Sequence, residues 1–114
     1  MSIKRGETYL AALDPVIGKE IAKTRPVVVV SNDINNEYSG TVTVFPITSA
    51  SMGKVYPFEV FLPKGSGRLP KDSKVKADQI RTLDKRRLVK RIGKLEHTLM
   101  EAIESAIKIH LGLD

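Results

Sequence analysis

Hydrophobic positions along this chain follow a period of two for most of its length and a helical period only at its end. Four consecutive valines, 27–30, are β-branched and apolar on both faces. They predict a core strand over 25–32 that is covered on both sides, as at the centre of a small barrel. Pro26 has a fixed φ and no N–H for a ladder, so it belongs at the strand's first residue and leaves Arg25 on the rim. Residues 6–13, with Thr8 and Tyr9 as strand formers, predict an earlier strand that Asp14-Pro15 ends. Residues 41–48 alternate β-branched positions until Pro46, which marks an edge, a bulge or a strand end and brings Thr48 to a rim. Pro57 interrupts the run 55–62, making it an edge strand. In 73–80, Val75, Ala77 and Gln79 share one face and Lys74, Lys76 and Asp78 the other, so Lys76 and Asp78 project together. Asp84 caps a short helical turn through Leu88, and 89–94 is a last strand closing the sheet.

The connections have their own signatures. The loop 15–24 is long for a small barrel, and within it Gly18-Lys19-Glu20 can reach across a groove. Residues 33–40 are dense in turn formers and predict a connection, and 49–54 turns the chain. Glycines 65 and 67 and prolines 63 and 70 make 63–72 a basic, flexible loop with weak order expected. Leu99, Ile103, Ala106, Ile107 and Leu111 then form one apolar stripe of a helix. Thr98 and Glu101 fit a capping box, and Gly112 fits the C-terminal stop. The stripe is expected to pack on the barrel, with self-association as its second use. The sum is a mainly β (α+β) fold: a small β-barrel or rolled sheet of about seven short strands with a C-terminal α-helix, in a single domain over 1–114.

At 41% hydrophobic and 28% charged residues the chain has the composition of a globular protein, and no apolar run approaches the ~20 residues of a membrane span. Its first residues carry no apolar core behind their charges, so no secretory signal is expected and the cytoplasm is the expected compartment. With no cysteine and only His97 and His110, thiolate nucleophiles, disulfides and sulfur metal sites are excluded, and neither a structural metal nor a cofactor is expected. The net charge of +6 lies in one place. Arg81, Lys85, Arg86, Arg87, Lys90, Arg91 and Lys94 face only Asp84 within 81–94, so the rest of the chain sums to zero. Lys64, Arg68, Lys71, Lys74 and Lys76 form a second basic stretch against Asp72. Clustered positive charge points to a polyanionic partner such as a nucleic-acid backbone, or to an acidic protein segment.

The ordered blocks Gly18…Glu20, Arg25-Pro26-Val27-Val28-Val29-Val30-Ser31-Asn32-Asp33, Pro46-Ile47-Thr48 and Asp78-Gln79-Ile80-Arg81-Thr82-Leu83-Asp84-Lys85 resemble those of the MazF/PemK family of bacterial toxins. The likeness runs from Arg5-Gly6-Glu7 to the C-terminal helix. It implies an SH3-like barrel, a homodimer, a cytoplasmic toxin of a type II toxin–antitoxin pair and an acidic antitoxin partner. The implied activity is sequence-specific, metal-independent cleavage of single-stranded RNA to 2′,3′-cyclic phosphate and 5′-hydroxyl ends.

The residues suit that chemistry. RNA carries its own nucleophile, the 2′-OH, so an enzyme need only align it, move a proton and neutralise phosphoryl charge. The fork of Arg25 matches two phosphate oxygens, and the hydroxyl of Thr48 can donate to one. The family likeness assigns cleavage to the positions of Arg25 and Thr48, acid/base work to that of Asp78, and RNA contacts to those of Glu20 and Gln79. Gly18, Lys19, Ser73 and Lys76 complete the expected RNA-binding set. Some members have arginine where this chain has Lys76, which keeps the charge and loses the bidentate fork. Other sites are absent: no Gly-x-Ser-x-Gly elbow, no phosphate loop ending in Gly-Lys-Ser/Thr, and no pair of histidines placed for a two-histidine ribonuclease. Two further readings are a non-catalytic nucleic-acid or protein-binding module of the same barrel, and a toxin directed at DNA gyrase.

Overall fold

The computed structural model describes residues 2–113. The valine run forms β2 (Thr24–Val29), between β1 (Glu7–Ala12) and β3 (Thr41–Thr48). Val27, Val28 and Val29 are all fully buried, and successive side chains enter different cores. Val27 and Val29 join Tyr9, Leu13, Val42, Val44 and Leu83, whereas Val28 joins Phe45, Ile47, Val75 and the helix residues Met100, Ile103 and Ala106. The strand is covered on both faces, as four valines in a row require. Pro26 is the third residue of β2 rather than the first, standing opposite Leu10.

Around this centre lie β4 (Glu59–Leu62), β5 (Ser73–Lys76), β6 (Arg81–Asp84) and β7 (Leu88–Lys94), in the antiparallel order β4-β5-β3-β2-β1-β7, with β6 also on β3. The ladder is not closed between β4 and β7, so the barrel expected from the sequence is a rolled, open sheet. β4 is an edge strand, as Pro57 foretold, but only its last four residues pair. Pro46 does not end β3, which runs on to Thr48. Thr43 directs both its N–H and its carbonyl towards the β2 side, meeting Ser31 and Val30. Alternation therefore turns Pro46 to the opposite edge, where pairing with β6 has stopped at Val44 and pairing with β5 starts at Ile47. The missing N–H falls in the gap between two partner strands.

Three connections differ from expectation. Residues 33–40 contain a helix, α1 (Asp33–Tyr38), because the Asn32 side chain accepts from the Asn35 N–H and caps it. The 63–72 loop is anchored: a 3-10 turn, Ser66–Arg68, buries Gly67, whose carbonyl accepts from Thr8 Oγ1 at 2.8 Å. Alternation in 73–80 stops at a second 3-10 turn, Ala77–Gln79, so Asp78 and Gln79 leave the plane of the strand. The short turn capped by Asp84 forms as expected, at Lys85–Arg87.

The terminal helix α2 (His97–Leu111) buries Met100, Ile103 and Ala106 against the sheet. Leu99 and Ile107 are partly covered, and Leu111 is exposed. The capping box does not form. The helix starts at His97 behind Glu96, so Thr98 already has helical backbone and cannot occupy the cap position. Gly112 closes the helix with φ +71°, its N–H reaching the Ile109 and Lys108 carbonyls. No helix among the described residues is long and apolar enough to cross a membrane.

Candidate active site

Arg25 and Thr48 meet at one end of the sheet because they terminate adjacent strands. Pairing between β2 and β3 ends with Val27 opposite Pro46, and two residues beyond it in each chain lie Arg25 and Thr48. Thr48 is in turn paired with Lys74 of β5. Arg25, Thr48 and Ser73 line one cavity of about 190 Å³ with Ser49, Pro70 and Lys71. Each of the two principal side chains is steered by the backbone. Arg25 Nε donates to the Ala22 carbonyl at 3.2 Å, which leaves both terminal nitrogens to a ligand. Thr48 Oγ1 accepts from the Ala50 N–H at 3.0 Å, so the hydroxyl proton is still available.

Asp78 lies elsewhere. With Glu20, Gln79 and Arg81 it lines a second depression of about 290 Å³, and it is not part of the cavity that holds Arg25 and Thr48. The cause is the 3-10 turn at Ala77, which carries the chain out of β5 before Asp78 is reached. The loop between β1 and β2 links the two depressions. Gln79 Oε1 accepts from the Ile21 N–H at 2.8 Å, and the next residue, Ala22, holds Arg25. Asp78 Oδ1 is buried without a hydrogen-bond partner, and Lys76 Nζ stands 3.9 Å away.

The remaining expected residues divide in the same way. Gly18, Lys19 and Glu20 are exposed on the loop, and Glu20 Oε1 accepts from the Ile17 N–H at 3.3 Å, stabilising the loop's own turn. Ser73 is buried and donates from Oγ to the Lys71 carbonyl at 2.9 Å. Lys76 is not a freely projecting cation, since its ammonium is 2.6 Å from Glu59 Oε2. Two rim residues escaped the sequence reading. Lys71 lies on a loop expected to be loose, and the anchored Gly67 turn is what brings it to Arg25. Ser49 simply follows Thr48. Among the described residues, no three His, Cys, Asp or Glu side chains gather where they could hold a metal.

A rolled antiparallel sheet with one terminal helix, a rim cavity that joins an arginine fork to a threonine hydroxyl, and a carboxylate in the neighbouring depression define a small β protein equipped to handle phosphodiesters. The chain belongs to the PemK-like, MazF-like toxins of type II toxin–antitoxin systems, whose family model matches residues 4–111. It is 43% identical over 112 residues to endoribonuclease MazF of Staphylococcus epidermidis, covering 98% of this chain and 93% of that protein. Crystalline MazF of Deinococcus radiodurans superposes with a TM-score of 0.85 at 28% identity, covering 99% of each chain. A mycobacterial endoribonuclease in complex with its cognate antitoxin superposes at 0.81 with 26% identity, over 98% of this chain and 97% of that one.

Proposed function

We propose that this chain, as one domain over 1–114, is a sequence-specific, metal-independent endoribonuclease, the toxin of a type II toxin–antitoxin pair in the bacterial cytoplasm. Its substrate is single-stranded RNA, cut to 2′,3′-cyclic phosphate and 5′-hydroxyl ends. The observation that carries this reading is the convergence of Arg25 and Thr48, from the ends of β2 and β3, on one cavity in which the Arg25 terminal nitrogens and the Thr48 hydroxyl proton are unspent. There the Arg25 fork neutralises charge developing on the phosphoryl oxygens, and the Thr48 hydroxyl donates to one of them. Asp78, which lines the neighbouring depression rather than this cavity, meets the RNA beside Glu20 and Gln79. RNA runs from this cavity, which Ser73 lines, over the Ile21–Ala22 arm to the depression of Glu20 and Gln79, beside the exposed Gly18 and Lys19. The chain works as a homodimer, and an acidic antitoxin segment occupies the same rim, folding as it binds. Family membership and the antitoxin complex of the mycobacterial neighbour support that part.

The test is incubation of the purified protein with long mixed-sequence RNA in EDTA, followed by mapping of fragment 5′ ends. Cuts at one short recurring sequence are expected, and Arg25→Ala should lower the rate about 10²–10³-fold while its circular dichroism and melting stay those of the parent. Intact RNA, or a fully active Arg25→Ala protein, would overturn the assignment.

A further inference from the structure

On the face of β4 and β5 that carries Thr48's partner, three charged side chains form a cluster under the 49–56 segment, with Asp78 of the following turn at its edge. Glu59 and Lys76 are directly opposed in the β4–β5 register, and Lys74 is opposed to Phe61 one pleat away. The Glu59 side chain is completely buried and Lys74 almost so. One Glu59 oxygen lies 3.1 Å from Lys74 Nζ and accepts from the Tyr56 N–H, while the other lies 2.6 Å from Lys76 Nζ. Each lysine then reaches a different part of the rim. Lys74 Nζ donates to the carbonyls of Ser51 and Lys54, at 2.9 and 3.0 Å, in the turn that leaves Thr48. Lys76 Nζ stands 3.9 Å from the unpaired oxygen of Asp78.

Burial alone would raise the Glu59 pKa, but hydrogen bonds from Lys76, the Tyr56 N–H and Lys74 outweigh it and hold the carboxyl below its ordinary value. It is therefore an anion throughout the neutral range, the carboxylate nearest to both cations. Glu59 touches neither depression, so a purely local role in joining the edge strand to β5 would explain the pairs with Lys74 and Lys76 equally well. It does not explain why both lysines spend their remaining contacts on the turns that carry Thr48 and Asp78.

We propose that Glu59 is a positioning residue for RNA cleavage, a buried hub that through Lys74 fixes the turn after Thr48 and through Lys76 fixes Asp78, so that the two depressions keep one spacing. This inference rests on the nuclease reading, and its experiment separates the two. The protein is compared with Glu59→Gln, which keeps size but replaces the anion and one acceptor oxygen by a neutral amide, leaving the buried Lys74 ammonium without its anion and Lys76 with only Asp78 at 3.9 Å, and with Lys74→Met, which releases the Thr48 turn alone. Cleavage of an RNA carrying the mapped sequence is measured well below each variant's melting temperature. The expected result is a kcat lowered about ten- to a hundredfold in both variants, as small misplacements of reacting groups produce, with KM within a few-fold of the parent. A folded Glu59→Gln or Lys74→Met protein with parental kcat would overturn the proposal, since a merely structural hub changes melting and not turnover. Amide hydrogen exchange supplies the second measurement. In Glu59→Gln both 49–54 and 77–79 should exchange faster, and in Lys74→Met only 49–54. Exchange unchanged at either segment in Glu59→Gln overturns the hub even if the parent protein cleaves no RNA, an outcome that would sink the nuclease reading separately.

Discussion

Single residues in this chain are read correctly only with their second hydrogen bond in view. Thr48 looks like an ordinary strand-end threonine, and it does accept from its own turn at Ala50; what sets it apart is the arginine that shares its cavity. Tyr9 is a buried phenol whose hydroxyl donates to Glu7 at 3.2 Å, in the strand pair that Glu7 and Arg91 also join at 2.6 Å. Burial, and then the neighbouring Glu7 carboxylate, push its pKa up to about 12. An unfolded tyrosine ionises near pH 10, so between about 10 and 12 the unfolded chain has lost a proton that the native chain still holds. Native stability should therefore fall as pH rises through that window, by roughly 2–3 kcal/mol, and level off above it. Denaturant melts at stepped alkaline pH, compared with Tyr9→Phe, check this. The variant should lack the fall, and an equal slope in both proteins would assign it to other groups.

At the scale of elements, the anchored 63–72 segment shows how a loop rich in glycine and proline becomes part of the rim. A Cβ on Gly93 of β7 would lie 2.6 Å from the Gly67 carbonyl oxygen, backbone against backbone, with no flexible side chain to yield. Gly93→Ala should therefore destabilise the fold by about 1–3 kcal/mol and free the loop. Thermal melting reads the first effect. Faster tryptic cleavage at Lys64, Arg68 and Lys71 reads the second, and unchanged digestion would mean that the loop is held by other contacts. Such an anchor is invisible in sequence, because it depends on β1 and β7 arriving beneath the loop from distant positions. The same reason hid α1, whose cap is legible in Asn32 but whose six residues carry no apolar stripe, and the 3-10 turn at Ala77 that parts Asp78 from Arg25. What was legible was local. The bounds of β3 and the two-sided burial of β2 follow from β-branched patterning, and the placement of Arg25 and Thr48 follows from where those strands end. Glu59 gave no signal, since an acid on an edge strand ordinarily faces solvent.

For the molecule as a whole, a net charge of +6 overstates the positive surface open to RNA. In the 81–94 stretch, Arg81 donates to the Leu13 carbonyl and Arg87 to those of Ala12 and Asp14, while Arg86 pairs with Asp84 and Arg91 with Glu7. Four of the run's seven basic residues thus brace the sheet's end and the start of the 13–23 loop, while Lys90 and Lys94 stay exposed. Lys74 and Lys76 are likewise committed to Glu59. Lys71 is different, being exposed within the cavity of Arg25 and Thr48. A cation that meets a phosphate releases a counterion, and for single strands each such contact contributes a slope of about −0.7 in log affinity against log salt. Lys71→Ala should therefore flatten the salt dependence of RNA binding by about that amount, whereas Arg86→Ala, which removes a cation already joined to Asp84 at 3.0 Å, should leave the slope unchanged. Binding titrations at several salt concentrations with the inactive Arg25→Ala protein as background separate the two. If Arg86→Ala flattens the slope as much as Lys71→Ala, RNA follows the 81–94 stretch rather than the rim, and the path proposed between the two depressions is wrong.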